Sequence, residues 1–164
     1  MKNKYVFFFV ALFLAFALDQ VTKELVRHYA PLHQELPVIR GFFYIFNSIN
    51  HGMIFGFWQE KAGLFYSIVK LLGLALLPPV FLILVFQPRS ALSTAAKLGI
   101  LVGSGFGNMF DRLAYGGVTD FIRLKITLFG REFQWYNFNV ADALMVVSVF
   151  LVFFNWPRDP VEKK

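Results

Sequence analysis

The chain has 164 residues, of which 57% are hydrophobic and 19% aromatic, with a formal net charge of +6 and no cysteine. A soluble domain of this size buries only part of its surface, so this composition predicts one integral membrane domain, residues 1–164. Without cysteine there are no disulfides and no thiolate chemistry, and the scattered basic residues indicate lipid headgroups rather than nucleic acid as partners.

Four apolar segments each have about the twenty residues that a helix needs to cross a bilayer. They are residues 5–26, 63–86, 91–110 and 138–156. Lysine and arginine are most densely packed near the two termini and the 87–90 turn, which places both termini in the cytoplasm and the long loops outside. The first segment also carries an A-x-A sequence, Ala15-Phe16-Ala17, typical of a cleavable signal peptide. However, its polar residues continue at helical spacing beyond that site.

The stretches between the spans predict a small outer sheet. Residues 40–50 are aromatic and β-branched, which favours a strand, and residues 119–133 predict a strand pair that turns at Phe129-Gly130-Arg131. Residues 52–58 are apolar enough to lie on the membrane surface. The expected fold is an all-α membrane bundle of four transmembrane helices, with a small extracytoplasmic β-sheet and a short surface amphipathic element.

Polar residues recur at the ends of the third and fourth spans. Asn108 and Asp111 are three residues apart and share one helix face, and Asn139 and Asp142 repeat that spacing. One such pair is typical of helix capping or of a polar contact between helices. Two pairs at the same membrane face favour a functional site instead.

The three aspartates of this region have different surroundings. Asp111 is next to Arg112, a cation that favours the ionised carboxylate, whereas the apolar neighbours of Asp120 should raise its pKa and keep a proton on it. Asp142 lies in a first helical turn, where the helix dipole favours negative charge. Environments of this kind divide acid and base roles between carboxyls. They predict Asp120 and Asp142 as the working pair and Asp111 as scaffold.

Asp19 and Lys23 are spaced i,i+4 in the first helix. They either neutralise each other as a buried ion pair, or one of them contacts a substrate headgroup or braces the site, and the sequence leaves these possibilities open. Asn50 and Gly52 form an ordinary turn on local grounds. The histidines lack the spacing of a metal site, so no metal is expected.

Taken together, five blocks of sequence resemble the lipoprotein signal peptidase (signal peptidase II) family, in the family's order and over nearly the whole chain. The blocks are Asp19–Lys23, Asn50–Gly52 with Phe55-Gly56, Gly107–Arg112, Val118–Phe121 and Phe138–Asp142. The resemblance implies a four-helix aspartyl endopeptidase of the bacterial inner membrane. It would release signal peptides from prolipoproteins by cutting before a diacylglyceryl-modified cysteine, without metal or organic cofactor.

The resemblance also implies roles for single residues. Asp120 and Asp142 fall on the catalytic dyad. The positions expected to support the site or bind substrate are Asp19, Lys23, Asn50, Gly52, Asn108, Asp111, Arg112 and Asn139. The expected partners are the lipid-modified prolipoprotein and membrane lipids, and the protein is expected to be a monomer. Met53 and Ile54 stand where the family usually has small residues, which affects the expected shape of the surface element.

Two other classes of protein could use the same residues. A proton-coupled transporter would spread its carboxyls through the depth of the bilayer, whereas here they gather at one face, and no inverted repeat is evident. A membrane chaperone or assembly factor without enzymatic activity would still function after both aspartates were replaced.

Overall fold

The computed structural model describes residues 2–51 and 92–154. These residues form three helices and a four-stranded antiparallel sheet. The elements are α1 (Lys2–Tyr29), β1 (Glu35–Ile39), β2 (Phe43–Asn50), α2 (Leu92–Tyr115), β3 (Val118–Leu128), β4 (Arg131–Gln134) and α3 (Val140–Phe154). The described part is therefore mixed α/β, and an all-α description understates the sheet. The expected span at 63–86 and the surface element at 52–58 lie outside the described residues.

The three helices cover the other expected spans with shifted ends. Helix α2 continues past residue 110 through Asp111 and Arg112 and ends at Tyr115, and the next residue, Gly116, has a φ of 73°. A glycine in this left-handed conformation is a common helix terminator. Among the described residues, one helix, residues 3–29, is long and apolar enough to cross a membrane by length and composition.

Helix α2 packs against both α1 and α3. Its contact with α1 is close, because a Cβ on Gly99 would overlap the backbone oxygen of Phe8, and one on Gly103 would overlap the backbone oxygen of Leu12. Small residues at such contacts let helix backbones approach each other, as in membrane helix pairs. This packing holds α1 close to α2, so that the polar residues of the two helices, described below, can contact each other.

The sheet has the strand order β1-β2-β3-β4. The expected strand at 40–50 begins later, at Phe43, because Gly41 turns the chain with a φ of 80°. Strand β1 was not expected, and its Pro37 is tolerated because β1 is an edge strand. The expected strand pair at 119–133 is confirmed as β3 and β4, joined at Phe129 and Gly130, both with positive φ.

Short connections hold the sheet at one end of the helices. Residues 30–34 lead from α1 to β1, residues 116–117 from α2 to β3, and residues 135–139 from β4 to α3. The start of β3 pairs with the end of β2, with Ser48 opposite Asp120. The end of α2, the start of α3 and the starting residues of β3 therefore meet in one place.

Candidate active site

Asp120 lies near the start of β3 and is only 4% exposed. Its two carboxyl oxygens accept hydrogen bonds from different elements: Asn50 Nδ2 donates at 2.9 Å and Asn139 Nδ2 at 2.8 Å. Burial raises the pKa of the Asp120 carboxyl to about 6; the hydrogen bond from Asn50 opposes that rise, and the negative charge of Asp142 adds to it. The raised pKa agrees with the expectation from its apolar sequence neighbours.

Asp142 lies in the first turn of α3 and forms a reciprocal cap with Asn139. The Asp142 N–H donates to Asn139 Oδ1 at 3.0 Å, and the Asn139 N–H donates to Asp142 Oδ2 at 3.2 Å. This is the capping-box arrangement, which fixes the direction of both side chains at a helix N-terminus. The other carboxyl oxygen, Oδ1, accepts from Asn108 Nδ2 at 2.7 Å.

Asn139 joins the two aspartates. Its side-chain amide donates to Asp120, while its backbone N–H donates to Asp142. The same amide donates to Asn108 Oδ1 at 3.1 Å, and Asn139 is fully buried. A single ordered residue thus sets the positions of two carboxyls that come from a strand and a helix.

A buried charge cluster lies on the α1 side of these residues. Lys23 Nζ is 2.7 Å from Asp19 Oδ2 and 3.4 Å from Asp111 Oδ2, and all three side chains are 0% exposed. Lys23 also donates to Asn108 Oδ1 at 2.8 Å. Since an ammonium has only donors, this contact turns the Asn108 oxygen towards Lys23 and its NH2 towards Asp142.

Of the possibilities left open for Asp19 and Lys23, the structure shows the buried ion pair and a contact with the residues around Asp142. They neutralise each other as an ion pair, and Lys23 orients the amide that holds Asp142. The second oxygen of Asp19 accepts the N–H of Ala141 at 3.0 Å, which ties the first turn of α3 to α1.

Asp111 fixes the start of β3. Its Oδ2 accepts the backbone N–H of Thr119 at 2.9 Å, one residue before Asp120. Lys23 and Arg27 of α1 place cations 3.4 and 3.5 Å from the same Asp111 oxygen. Arg112, the neighbour in sequence, donates to the backbone oxygen of Asn108 at 3.2 Å. These contacts tie Asp111 to α1 and to the start of β3, and its role as scaffold stays a prediction.

Sequence reasoning missed two contributors from α1. Gln20 Nε2 donates to Asp111 at 3.2 Å and to the backbone oxygen of Gly107 at 3.1 Å, and Arg27 Nη1 donates to Thr119 Oγ1 at 2.8 Å. Arg27 could have been found, because it continues the i,i+4 spacing of Asp19 and Lys23 along one helix face. Gly107 is required where it lies, since a Cβ there would overlap the Asp19 carboxylate.

The structure brings together seven of the eight residues expected to support the site, and Gly52 lies outside the described residues. Within the described ranges, no three or more His, Cys, Asp or Glu side chains are grouped as metal ligands. The chemistry that the arrangement offers is acid–base catalysis by two carboxyls in different surroundings, Asp120 with its raised pKa and Asp142 at a helix N-terminus.

Comparison with known proteins gives matches over most of the chain. The family model for signal peptidase (SPase) II matches residues 11–156. The chain is 32% identical to a lipoprotein signal peptidase of Syntrophus aciditrophicus, over 99% of each protein. It is 34% identical to that of Solibacter usitatus, over 88% of this chain and 87% of the relative. Its fold is similar to that of a bacterial membrane enzyme solved by the in meso method, with a TM-score of 0.75, 24% identity and coverage of 94% of this chain and 90% of that one.

Proposed function

The chain belongs to the signal peptidase II family, which removes signal peptides from prolipoproteins, and we propose that it does so as an intramembrane aspartic endopeptidase. Its substrate is a prolipoprotein, and it cuts the chain just before the diacylglyceryl-modified cysteine. The observation that carries this proposal is the placement of Asp120 and Asp142 on either side of Asn139, which contacts both carboxyls.

In the proposed mechanism, Asp142 is ionised and Asp120 protonated when substrate binds. Asp142 takes a proton from a water molecule while the water oxygen attacks the scissile carbonyl carbon. At the same time, Asp120 donates its proton to the carbonyl oxygen. When the C–N bond breaks, Asp142 passes its proton to the leaving nitrogen and Asp120 recovers one from the tetrahedral intermediate. Because coupled carboxyls titrate as a pair, the starting proton belongs to the pair rather than to one residue.

The neighbouring residues keep the pair in position. Asn108, held by Lys23, and the Asn139 N–H hold the two oxygens of Asp142. Asn50 of strand β2 donates to Oδ2 of Asp120. We propose that these residues position the dyad. A misplacement of catalytic groups by about 1 Å can lower the reaction rate 10²-fold.

The proposed location is the bacterial inner membrane. Helix α1 is long and apolar enough to span it, and its site residues, Asp19 to Arg27, lie towards its C-terminal end. With four spans and both termini in the cytoplasm, that end and the attached sheet lie at the outer face of the membrane. The protein acts there as a monomer, with apolar surfaces between helices open to the signal helix and the acyl chains.

A direct test compares two forms of one precursor. The purified protein in lipid vesicles is incubated with a diacylglyceryl-modified prolipoprotein and, separately, with the unmodified precursor, and the products are identified by mass spectrometry. We expect cleavage of the lipidated form alone, on the N-terminal side of the modified cysteine. Equal cleavage of both forms would contradict the substrate assignment, and cleavage of neither by folded protein would contradict the function.

The pH dependence of the reaction tests the role of Asp120. Since the acid must be protonated, kcat/KM should fall as pH rises through the pKa of about 6. Asn50→Ala removes a hydrogen bond that favours the charged carboxylate, so it should raise the pKa of Asp120 and move this fall to higher pH. The measurement is kcat/KM against pH for both proteins.

Asn137→Ala is the matched control, because this amide bonds Ser48 and Arg123 on the same sheet. Its pH profile should follow that of the unaltered protein. An Asn50→Ala profile that is unchanged, or that falls at lower pH, would remove Asp120 from the role of acid.

A further inference from the structure

The β3–β4 hairpin has one apolar and one polar face. Antiparallel pairing sets Ile126 opposite Phe133 and Leu128 opposite Arg131. Residues directly opposite each other point to the same side of a sheet, and alternate residues along a strand share a side. These four side chains therefore share one face, and all are exposed.

The apolar face continues beyond β4 and ends at the turn. The Trp135 N–H donates to the Leu124 oxygen at 2.8 Å, which extends the pairing by one residue and puts this exposed indole on the same side. At the opposite end, Phe129 forms the turn and is fully exposed. We call Ile126, Leu128, Phe129, Phe133 and Trp135 the hairpin patch.

The other face of the hairpin carries charges paired with one another. Lys125 Nζ is 3.0 Å from Glu35 and 3.3 Å from Glu132, and Thr127 lies opposite Glu132. Paired charges and a hydroxyl group of this kind are stable in contact with water. The hairpin is thus an amphipathic element with two faces of opposite character.

The position of the hairpin relative to the helices indicates what binds to the hairpin patch. Strand β3 begins two residues before Asp120, at the end of the helices where α1 ends. At the usual rise per residue, the strand extends about 30 Å from that point. In the proposed topology this end of the helices lies at the outer face of the membrane, so the hairpin begins at the level of the bilayer surface. Tryptophan and other aromatic side chains are enriched at this depth, and arginine there meets lipid phosphates.

We propose that the hairpin patch docks on the outer surface of the lipid bilayer, with Phe129 inserted among the acyl chains near the headgroups and Arg131 against a lipid phosphate. An exposed tryptophan and an exposed arginine share the apolar face of this short hairpin, and they match the aromatic belt and the phosphates of a lipid headgroup layer. The proposal rests on the proposed membrane placement of α1 but not on the proposed peptidase chemistry.

The test uses depth-dependent quenching of single tryptophans. Trp58, Trp135 and Trp156 are replaced by Phe, and the Phe129→Trp variant is reconstituted in vesicles of phosphatidylglycerol and phosphatidylethanolamine with lipids brominated at shallow or deep acyl positions. We expect several-fold stronger quenching by shallow than by deep bromines, and little quenching by aqueous acrylamide. Thr127→Trp in the same background is the matched control on the polar face, and it should respond to acrylamide.

Phe13→Trp in α1 separates this proposal from the membrane placement on which it rests. Phe13 is exposed in the middle of α1, so its tryptophan variant should be quenched by deep bromines. If Phe13→Trp behaves so while Phe129→Trp is quenched by acrylamide, the hairpin faces water and the docking is wrong. Protection of Phe129→Trp from both quenchers would mean that protein covers the patch, which also overturns it. Failure of Phe13→Trp to respond to lipid would contradict the membrane placement itself.

Discussion

Replacing either Asp120 or Asp142 by asparagine is expected to lower the rate of signal-peptide cleavage by about 10²–10⁴-fold, the usual loss when a general acid or base is removed. The substitution keeps the size of the side chain and leaves the amide partners in place. An asparagine at position 142 can no longer accept the proton of the attacking water, and one at position 120 has no acidic proton to donate. Initial rates in vesicles, measured alongside thermal unfolding, would separate loss of chemistry from loss of fold.

Glu132→Gln is the matched control, because this carboxylate lies on the exposed edge strand β4 and bonds Lys125 rather than the site. It should cleave at the rate of the unaltered protein. Near-normal turnover by either dyad variant would remove that aspartate from the mechanism. Growth of a host that depends on the protein provides a further distinction, since an assembly factor without enzymatic activity would still function with both aspartates replaced.

The parts of the site that depend on local sequence could be predicted. Asp142 and Asn139 are three residues apart at a helix start, and that spacing alone produces the cap that orients both. The raised pKa of Asp120 could be expected from Val118 and Phe121, which are buried with it at the start of β3. The β3–β4 turn could be placed because Gly130 tolerates positive φ.

The parts that depend on tertiary packing could not be predicted in the same way. Asp111 has Arg112 as its neighbour in sequence, but two further cations, Lys23 and Arg27, reach it from α1, more than eighty residues earlier. Nothing local to Gln20 indicates that it bonds two residues of α2. Strand β1 was missed because Pro37 argues against a strand, and only its place at the sheet edge makes it acceptable.

The second large effect is expected for Lys23→Met, which should lower the free energy of unfolding by about 3–5 kcal/mol, the usual cost of removing one partner of a buried ion pair. Lys23 lies between Asp19 and Asp111, and all three side chains are fully buried. Methionine fills a similar volume but leaves the Asp19 carboxylate without its cation. The measurement is unfolding of the purified protein by denaturing detergent or by heat, compared with the unaltered protein.

The double variant Asp19→Asn/Lys23→Met tests whether this loss comes from uncompensated charge. Because a neutral amide replaces the stranded carboxylate, it should be more stable than Lys23→Met alone. Both variants lose one of the two donors to the Asn108 oxygen and keep only the longer bond from Asn139, so both should cleave slowly even where they are folded. If Lys23→Met unfolds like the unaltered protein, the ion pair contributes no net stability. If the folded double variant cleaves at the normal rate, Asn108 keeps its direction without Lys23, and the buried lysine has no part in positioning the dyad.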